Sequence, residues 1–424
     1  MRDHSKHIQI NRFEAEKIIL EHCNFSPEEE IVNIKDAEGR ILAEDVFSGW
    51  DSPNTLTCRM DSVAVRWEDF ENGMPDTSDW ERGKEWEFAN TGVAMPKGFD
   101  TAIVVEHVIF NEDETKLKFD SMPSKKFAGT SAAGSKMKKG DLILEKGTYV
   151  TPLFAARIAS ANVPEVKVLK RPKVAFIPTG NELIKLSGEV PEGKNIESNS
   201  FMIAAKLRQW GASPIIFDIV PDDKEKLKEA LKKAAEISDI VILNAGSSKG
   251  NDDWGIEMLE EIGEIFYHQT NHGPGHHSSF GVIKTDREVP VIGISGPPGG
   301  AAFTTDYYVY PAVKKFLGQS PYLRKIKVRL GEDLDGAKKH LKPLPSKAKA
   351  EVRPMETGEF YSVRQLILNQ AEDGVFEAFV AGGSSHPNVL DAEEAKAYYL
   401  MPSWEGKEAP KKGDLIEVEL RPFC

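Results

Sequence analysis

Hydrophobic positions change rhythm several times along this chain. In RFEAEKIILEH, residues 12–22, Phe13, Ala15, Ile18 and Ile19 recur at helical spacing and predict an opening helix. From about residue 50 to 150 the pattern becomes short apolar runs broken by glycine, as in KEWEFANTGV and DTAIVVEHVIF, which reads as β-rich. KKGDLILEKGTYVTP closes that stretch with two lysine–glycine turns, and TPLFAARIASANV reads as a helix returning to the first unit. The expected arrangement is a helical linker domain, residues 1–50 and 146–171, holding an inserted β-rich domain at 51–145.

Residues 172–320 have a different texture. KVAFIPTG, SPIIFDIV, SDIVILNAG and VPVIGISG are apolar runs suited to strands covered on both faces. Between them, Leu227, Ala230, Leu231 and Ala234 recur at i, i+3, i+4 and i+7, while lysines and glutamates fill a solvated face. This alternation predicts a parallel, doubly wound α/β domain. Ligands of such sheets bind beyond the carboxyl ends of the strands, here PTGNEL, NAGSSKGNDD and SGPPGG. Residues 321–424 return to β patterning in KIKVRL, EFYSVRQLIL, GVFEAFVAGG and DLIEVELRPF. AKKHLKPLPSKAKAEVRP reads as a surface connection. KKGDLI occurs at 138–143 and again at 411–416, each time as a turn feeding a strand. The fold class is α/β plus β, a doubly wound domain with flanking β-rich domains.

Length and charge narrow the function. A chain of 424 residues exceeds one ordinary core, so three or four structural units are expected. Hydrophobic residues at 40% and charged residues at 29% describe a soluble globular protein. The net charge of -13, with no basic patch, argues against nucleic acid as a partner. Any anionic substrate must then be met by local donors or a metal. Cys23, Cys58 and Cys424 are scattered without a CxxC pair, which points to a reducing, cytoplasmic setting. The opening MRDHSKHIQINRF has no apolar signal core, and no run reaches membrane-spanning length.

The strand-end loops contain the candidate chemistry. In PTGNEL, Thr179 and Gly180 make the turn, and Glu182 is expected in the first helical turn, where a carboxylate complements the dipole. In NAGSSKGNDD, Ser247, Ser248 and Gly250 supply small residues and donors. Asp252 and Asp253 either cap the following helix or share a metal with an anionic substrate. In TCRMDSVAVRW, Asp61 ends a turn before an alternating apolar segment. Asp61, Glu182 and Asp253 are hard oxygen ligands suited to Mg²⁺, which needs one or two carboxylates plus phosphate oxygens. His268, His272, His276 and His277 form a dense group able to bind zinc, or oxyanions when protonated.

Taken in order, these stretches resemble the molybdopterin molybdenumtransferases, the family that includes the gephyrin E domain. CRMDSVAVR is similar to the family's S-A-M-D-G-Y-A-V-R, and TGVAMPKGFDTAIVVE at 91–106 to T-G-A-P-x-P-x-G-x-D-A-V-V. IPTGNEL resembles S-T-G-D-E-L, IESNSFMI resembles I-Y-D-S-N, and NAGSSKGNDDW resembles G-G-V-S-V-G-x-x-D-Y. The resemblance implies an elongated multidomain homodimer whose α/β part binds the pterin. It also implies Mg²⁺-dependent insertion of molybdate or tungstate into adenylylated molybdopterin, with release of AMP. Carried over residue by residue, Asp61, Glu182 and Asp253 take catalytic and metal-binding roles. Thr91, Thr179, Gly180, Gly246, Ser247, Ser248 and Gly250 line the pterin and its phosphate. Arg364 and Ser385 bind the oxyanion, and Pro274, His276 and Pro298 belong to the substrate-binding set.

Departures from the family pattern cluster at the oxyanion positions. K-P-G-K-P becomes Gly273, Pro274, Gly275, His276 and His277, so both lysines are gone. Pro297 and Gly300 replace an asparagine and a serine, Ser62 a glycine, Asn181 an aspartate, and Lys136 an aspartate. Losing two ammonium groups weakens oxyanion binding unless His276 or His277 is protonated. Two other readings therefore stand beside the transferase: a non-catalytic molybdopterin carrier, sensor or scaffold, and a histidine-dependent zinc hydrolase.

Overall fold

A computed structural model describes residues 10–244, 254–334, 360–382, 394–403 and 407–422. The chain divides into two compact units, Glu29–Leu169 and a second formed by Met1–Glu28 with Lys170–Cys424. Among the described residues no helix is long and apolar enough to cross a membrane.

Glu29–Leu169 contains two large hydrophobic cores and a smaller one of Cys58, Ala64, Ala89 and Ala102. One large core gathers Leu42, Val46, Ile143, Val150, Ile158 and Val168. Around it, Glu29–Asn33 pairs antiparallel with Glu165–Leu169, and the helix Pro152–Ser160 starts at Thr151, whose hydroxyl accepts from Phe154 N–H. The other large core packs Val63, Phe70, Trp80, Trp86, Ile103 and Phe119 against a three-stranded antiparallel sheet. Its central strand, Ser62–Val65, is flanked by Glu87–Ala89 and Thr101–Val104.

The second unit begins with α1 (Arg12–His22), which differs from expectation in two respects. It belongs with the α/β region, not with the linker domain that its position suggested. Its inward face carries Arg12, Ala15 and Ile19, while Phe13 is largely exposed. Arg12 is buried because its guanidinium lies 4.0 Å over the Tyr307 ring and pairs with Glu419 at 3.2 Å.

Six strands form the central sheet: β1 (Lys173–Pro178), β2 (Ser213–Ile216), β3 (Ile240–Asn244), β4 (Gly263–Tyr267), β5 (Ser279–Lys284) and β6 (Glu288–Ile294). They lie in the order β2-β1-β3-β6-β5-β4. The first four are parallel, but β5 pairs antiparallel with both β6 and β4, so the sheet is mixed and not wholly parallel as its texture suggested. Every residue of β3 is buried, as a strand covered on both faces requires. The predicted amphipathic helix is α3 (Lys224–Ile237), preceded in the chain by α2 (Asn199–Gln209). Asp223 caps α3, and Leu227, Leu231 and Ala234 pack onto Ala175, Val241 and Leu243.

C-terminal strands Tyr361–Gln370, Phe376–Val380, Lys325–Leu330, Leu415–Leu420 and Ala397–Pro402 pair in that order, and the last returns to the first, closing a barrel. His272–Gly273 adds to it as a short parallel partner of Tyr361–Ser362. The lysine- and proline-rich connection at 337–354 lies outside the described residues.

Candidate functional site

Chain order and spatial order of the sheet reverse between β1 and β3. β1 leads outward to β2, and the chain then crosses back to β3 on the other side. A crevice opens at the carboxyl ends of the strands at such a switch point. Thr179, immediately after β1, donates from its backbone N–H and its hydroxyl to Asn244 O, at 3.2 and 3.1 Å. The Asn244 amide donates to Ser295 O at 2.8 Å, and its Oδ1 accepts from Asn199 Nδ2 at 3.0 Å. Asn199, the first residue of α2, also donates to Gly296 O at 2.7 Å. One neutral network thus joins the ends of β1, β3 and β6 to the start of α2. Asn199 Oδ1 is buried and has no hydrogen-bond partner among the described residues.

Glu182 does not sit in a helical turn. Leu183–Ile184 instead forms a short parallel pair with Asn195–Ile196, and Asn195 N–H donates to Glu182 O at 2.8 Å. The helix starts later, at Asn199, and Glu197 serves it by accepting from Ser200 N–H at 2.9 Å. Glu182 folds its exposed carboxylate over Gly180, where an added Cβ would lie 2.5 Å from Oε2. Gly180 has a φ of +138°, a backbone conformation that favours glycine, whereas the exposed Glu182 side chain could move aside for a Cβ. Asn181 exchanges two hydrogen bonds with Asp222, at 3.1 and 3.2 Å.

In the Glu29–Leu169 unit, Asp61 and Thr91 come together as a pair. Thr91 N–H and its hydroxyl both donate to Asp61 Oδ1, at 2.9 and 3.0 Å. Asp61 and Thr91 are exposed, as is Lys136 in the turn after Gly134. Gly246, Ser247, Ser248, Gly250, Asp252, Asp253 and Ser385 lie outside the described residues.

Beside the crevice, the four histidines separate into distinct environments, with His268 buried. His276 and His277 are half-buried with ring centroids 3.8 Å apart. His272 is fully buried, with Nε2 2.9 Å from Thr270 Oγ1 and 2.6 Å from Tyr308 OH, and Nδ1 2.9 Å from Pro274 O. Burial pushes its pKa down to about 3, against a smaller opposing effect of the Pro274 carbonyl. Among the described residues no three His, Cys, Asp or Glu side chains are grouped to hold a metal. Pro298 opens the helix Pro298–Thr304, and Arg364 sits on the barrel strand opposite Tyr399.

A second constellation, absent from the sequence reading, is buried and charged. Lys206 pairs with Asp306, which also accepts from Tyr398 OH at 2.8 Å. Glu419 accepts from Tyr307 OH and from Arg12. Asp306, Tyr307 and Tyr308 follow one another in a π-helical turn, Thr305–Val309, a geometry that recurs at functional sites. Burial lowers the Lys206 pKa even though Asp306 opposes it. Asn244 was legible only as a polar residue ending the apolar run IVILN, and no comparable pattern marked Arg12 or Tyr308.

Fold and crevice together define a multidomain α/β protein with a crevice at a sheet switch point and a closed C-terminal barrel. The family described as MoeA N-terminal region (domain I and II) matches residues 10–162, and that described as probable molybdopterin binding domain matches 175–315. A Methanocaldococcus jannaschii protein named for molybdopterin biosynthesis is 31% identical over 316 residues, covering 70% of this chain and 77% of that protein. The molybdopterin molybdenumtransferase of Nostoc is 29% identical over 396 residues, 89% of this chain and 85% of that protein. The solved MoeA protein of Pyrococcus horikoshii shares the fold, with a TM-score of 0.67 at 24% identity over 97% of this chain and 100% of that chain. The chain belongs to the MoeA family.

Proposed function

We propose that this protein acts in molybdenum cofactor assembly, inserting molybdate or tungstate into adenylylated molybdopterin with release of AMP. The observation that carries this reading is the neutral network of Thr179, Asn199 and Asn244 at the switch point. A flat heterocycle rich in donors and acceptors needs such fixed amides, and the unpartnered Asn199 Oδ1 offers it an acceptor. Relatives named molybdopterin molybdenumtransferase support the reaction class. The bond broken is the adenylyl phosphoanhydride: water or a molybdate oxygen attacks the adenylyl phosphorus, the pterin phosphate is the leaving group and AMP departs with that oxygen, while each bond from a dithiolene sulfur to molybdenum replaces a bond from oxygen, the thiol protons leaving with displaced oxygen as water.

Asp61, Glu182 and Asp253 are the proposed ligands of Mg²⁺. The chemistry of the donors fits: Thr91 holds one oxygen of Asp61, which leaves the other for a hard cation, and Glu182 is exposed. Mg²⁺, when bound, offsets charge on the diphosphate. Ser247, Ser248 and Gly250 are assigned to the pterin phosphate, and His276, Arg364 and Ser385 to the oxyanion, in a homodimer. The test is turnover of adenylylated molybdopterin with Mg²⁺, comparing molybdate with tungstate. AMP release that depends on the oxyanion is expected. Tight pterin binding with no AMP at any oxyanion concentration would instead assign the carrier reading.

A further inference from the structure

We infer that His272 is a positioning residue: its neutral imidazole holds the turn Gly273–His277 against the helix Pro298–Thr304, and so presents His276 and His277 to the oxyanion. This rests on the function proposed above.

Partners of the ring fix its tautomer. The Pro274 carbonyl can only accept, so the proton sits on Nδ1 and Nε2 is the acceptor for the Tyr308 hydroxyl. Only a neutral imidazole can donate at one end and accept at the other. Surrounding groups favour that state: Phe303 packs edge-on at 5.0 Å, Tyr308 stacks at 5.9 Å, and the nearby charge of Arg12 disfavours a proton. The turn is held at further points. Thr270 N–H donates to His276 O at 2.9 Å, Ser278 donates to Gly275 O at 2.7 Å, and Tyr361 N–H of the barrel donates to Asn271 O at 2.8 Å.

The turn also meets the crevice. Gly275 has no room for a side chain, since a Cβ would lie 2.5 Å from Thr304 Cγ2. A Cβ on Gly300 would meet Ser295 Oγ at 2.5 Å and Gly275 N at 3.7 Å. Ser295 is the residue whose carbonyl Asn244 holds. His272 thus lies one hydrogen bond behind the turn, which itself packs on the helix Pro298–Thr304, whose Gly300 abuts Ser295 of the crevice loop. Tyr308 reaches His272 from the π-helical turn, while its neighbour Tyr307 reaches Glu419 of the barrel.

The test compares His272→Phe, His272→Asn and Tyr308→Phe in the full chain. Asparagine places an amide donor where Nδ1–H stood, whereas phenylalanine keeps the bulk and loses the donor. His272→Phe should speed hydrogen exchange of the 273–277 amides and raise the KM for molybdate about tenfold with kcat nearly unchanged, the scale of one lost hydrogen bond. His272→Asn should restore both, and Tyr308→Phe, which carries the test if His272→Phe does not fold, should fall between. Unchanged exchange in the turn, a KM that does not follow it, or failure of asparagine to rescue would each overturn the inference. If the wild type releases no AMP, the proposed function falls, while exchange in the turn still decides whether His272 holds it.

Discussion

Two polar networks lie in the same unit and are built on opposite principles. The crevice network of Thr179, Asn199 and Asn244 is neutral, uses amides and a hydroxyl, and leaves Asn199 Oδ1 unpartnered among the described residues. The network of Arg12, Glu419, Lys206 and Asp306 is ionic and buried and accepts hydrogen bonds from Tyr307 and Tyr398, with Arg12 Nε unpartnered among the described residues. A neutral amide loses little by waiting for a ligand, whereas a buried charge must be matched at all times. The first therefore suits recognition. The second ties α1, α2 and the barrel to one π-helical turn.

Removing one charge from the ionic network should have the largest effect. Glu419→Ala leaves buried Arg12 with Glu16 as its remaining carboxylate and strips Tyr307 OH of its acceptor, and should cost about 3 kcal/mol. Urea denaturation measures this, and a loss below about 1 kcal/mol would show that the network relaxes or hydrates.

His272 adds a pH-dependent contribution between the two networks. Its native pKa of about 3 lies below the ordinary 6.5, so in that interval the unfolded chain binds a proton that the native state does not. Stability is full above pH 6.5 and declines by about 1.4 kcal/mol per pH unit below it. Between pH 7 and 5 the wild type should lose about 2 kcal/mol more than His272→Asn in paired melts. Parallel acid limbs would remove His272 as the cause.

Cutting the crevice network should cost less stability but more function. Asn244→Ala frees the Ser295 carbonyl and Asn199 Nδ2, a loss on the order of 1 kcal/mol, together with pterin binding measured by fluorescence titration. Normal binding by this variant would move the pterin away from the switch point. Glu182→Ala should leave the melting temperature where it was, because the side chain is exposed, yet abolish AMP release. Turnover at the wild-type rate would strip Glu182 of its assigned role.

Periodicity made the helix Lys224–Ile237 and the buried strands legible, because those patterns reflect which face meets the core. It did not locate the two networks. Asn199, Asn244 and Glu419 sit where any polar residue ends or flanks an apolar run, and their partners are 45 to 407 residues away in the chain. The opening helix illustrates the same limit. Spacing identified the helix and its buried Ala15 and Ile19, but Arg12 turned inward with them while Phe13 stayed exposed.

The sharpest contrast is between two short stretches. KKGDLI folds the same way at both of its positions: Lys138 N–H meets Asp141 Oδ2 at 2.7 Å and Lys411 N–H meets Asp414 Oδ2 at 2.8 Å. The glycines at 140 and 413 have φ of +89° and +92° in turn, and each turn feeds a strand. Six residues are enough there, since donor, acceptor and backbone freedom are all local. PTGNEL carries equally strong helix-start residues, yet it runs into a strand pair with Asn195–Ile196. A partner at residue 195 outcompeted the local preference, because backbone groups take whichever hydrogen bonds the tertiary structure brings within reach.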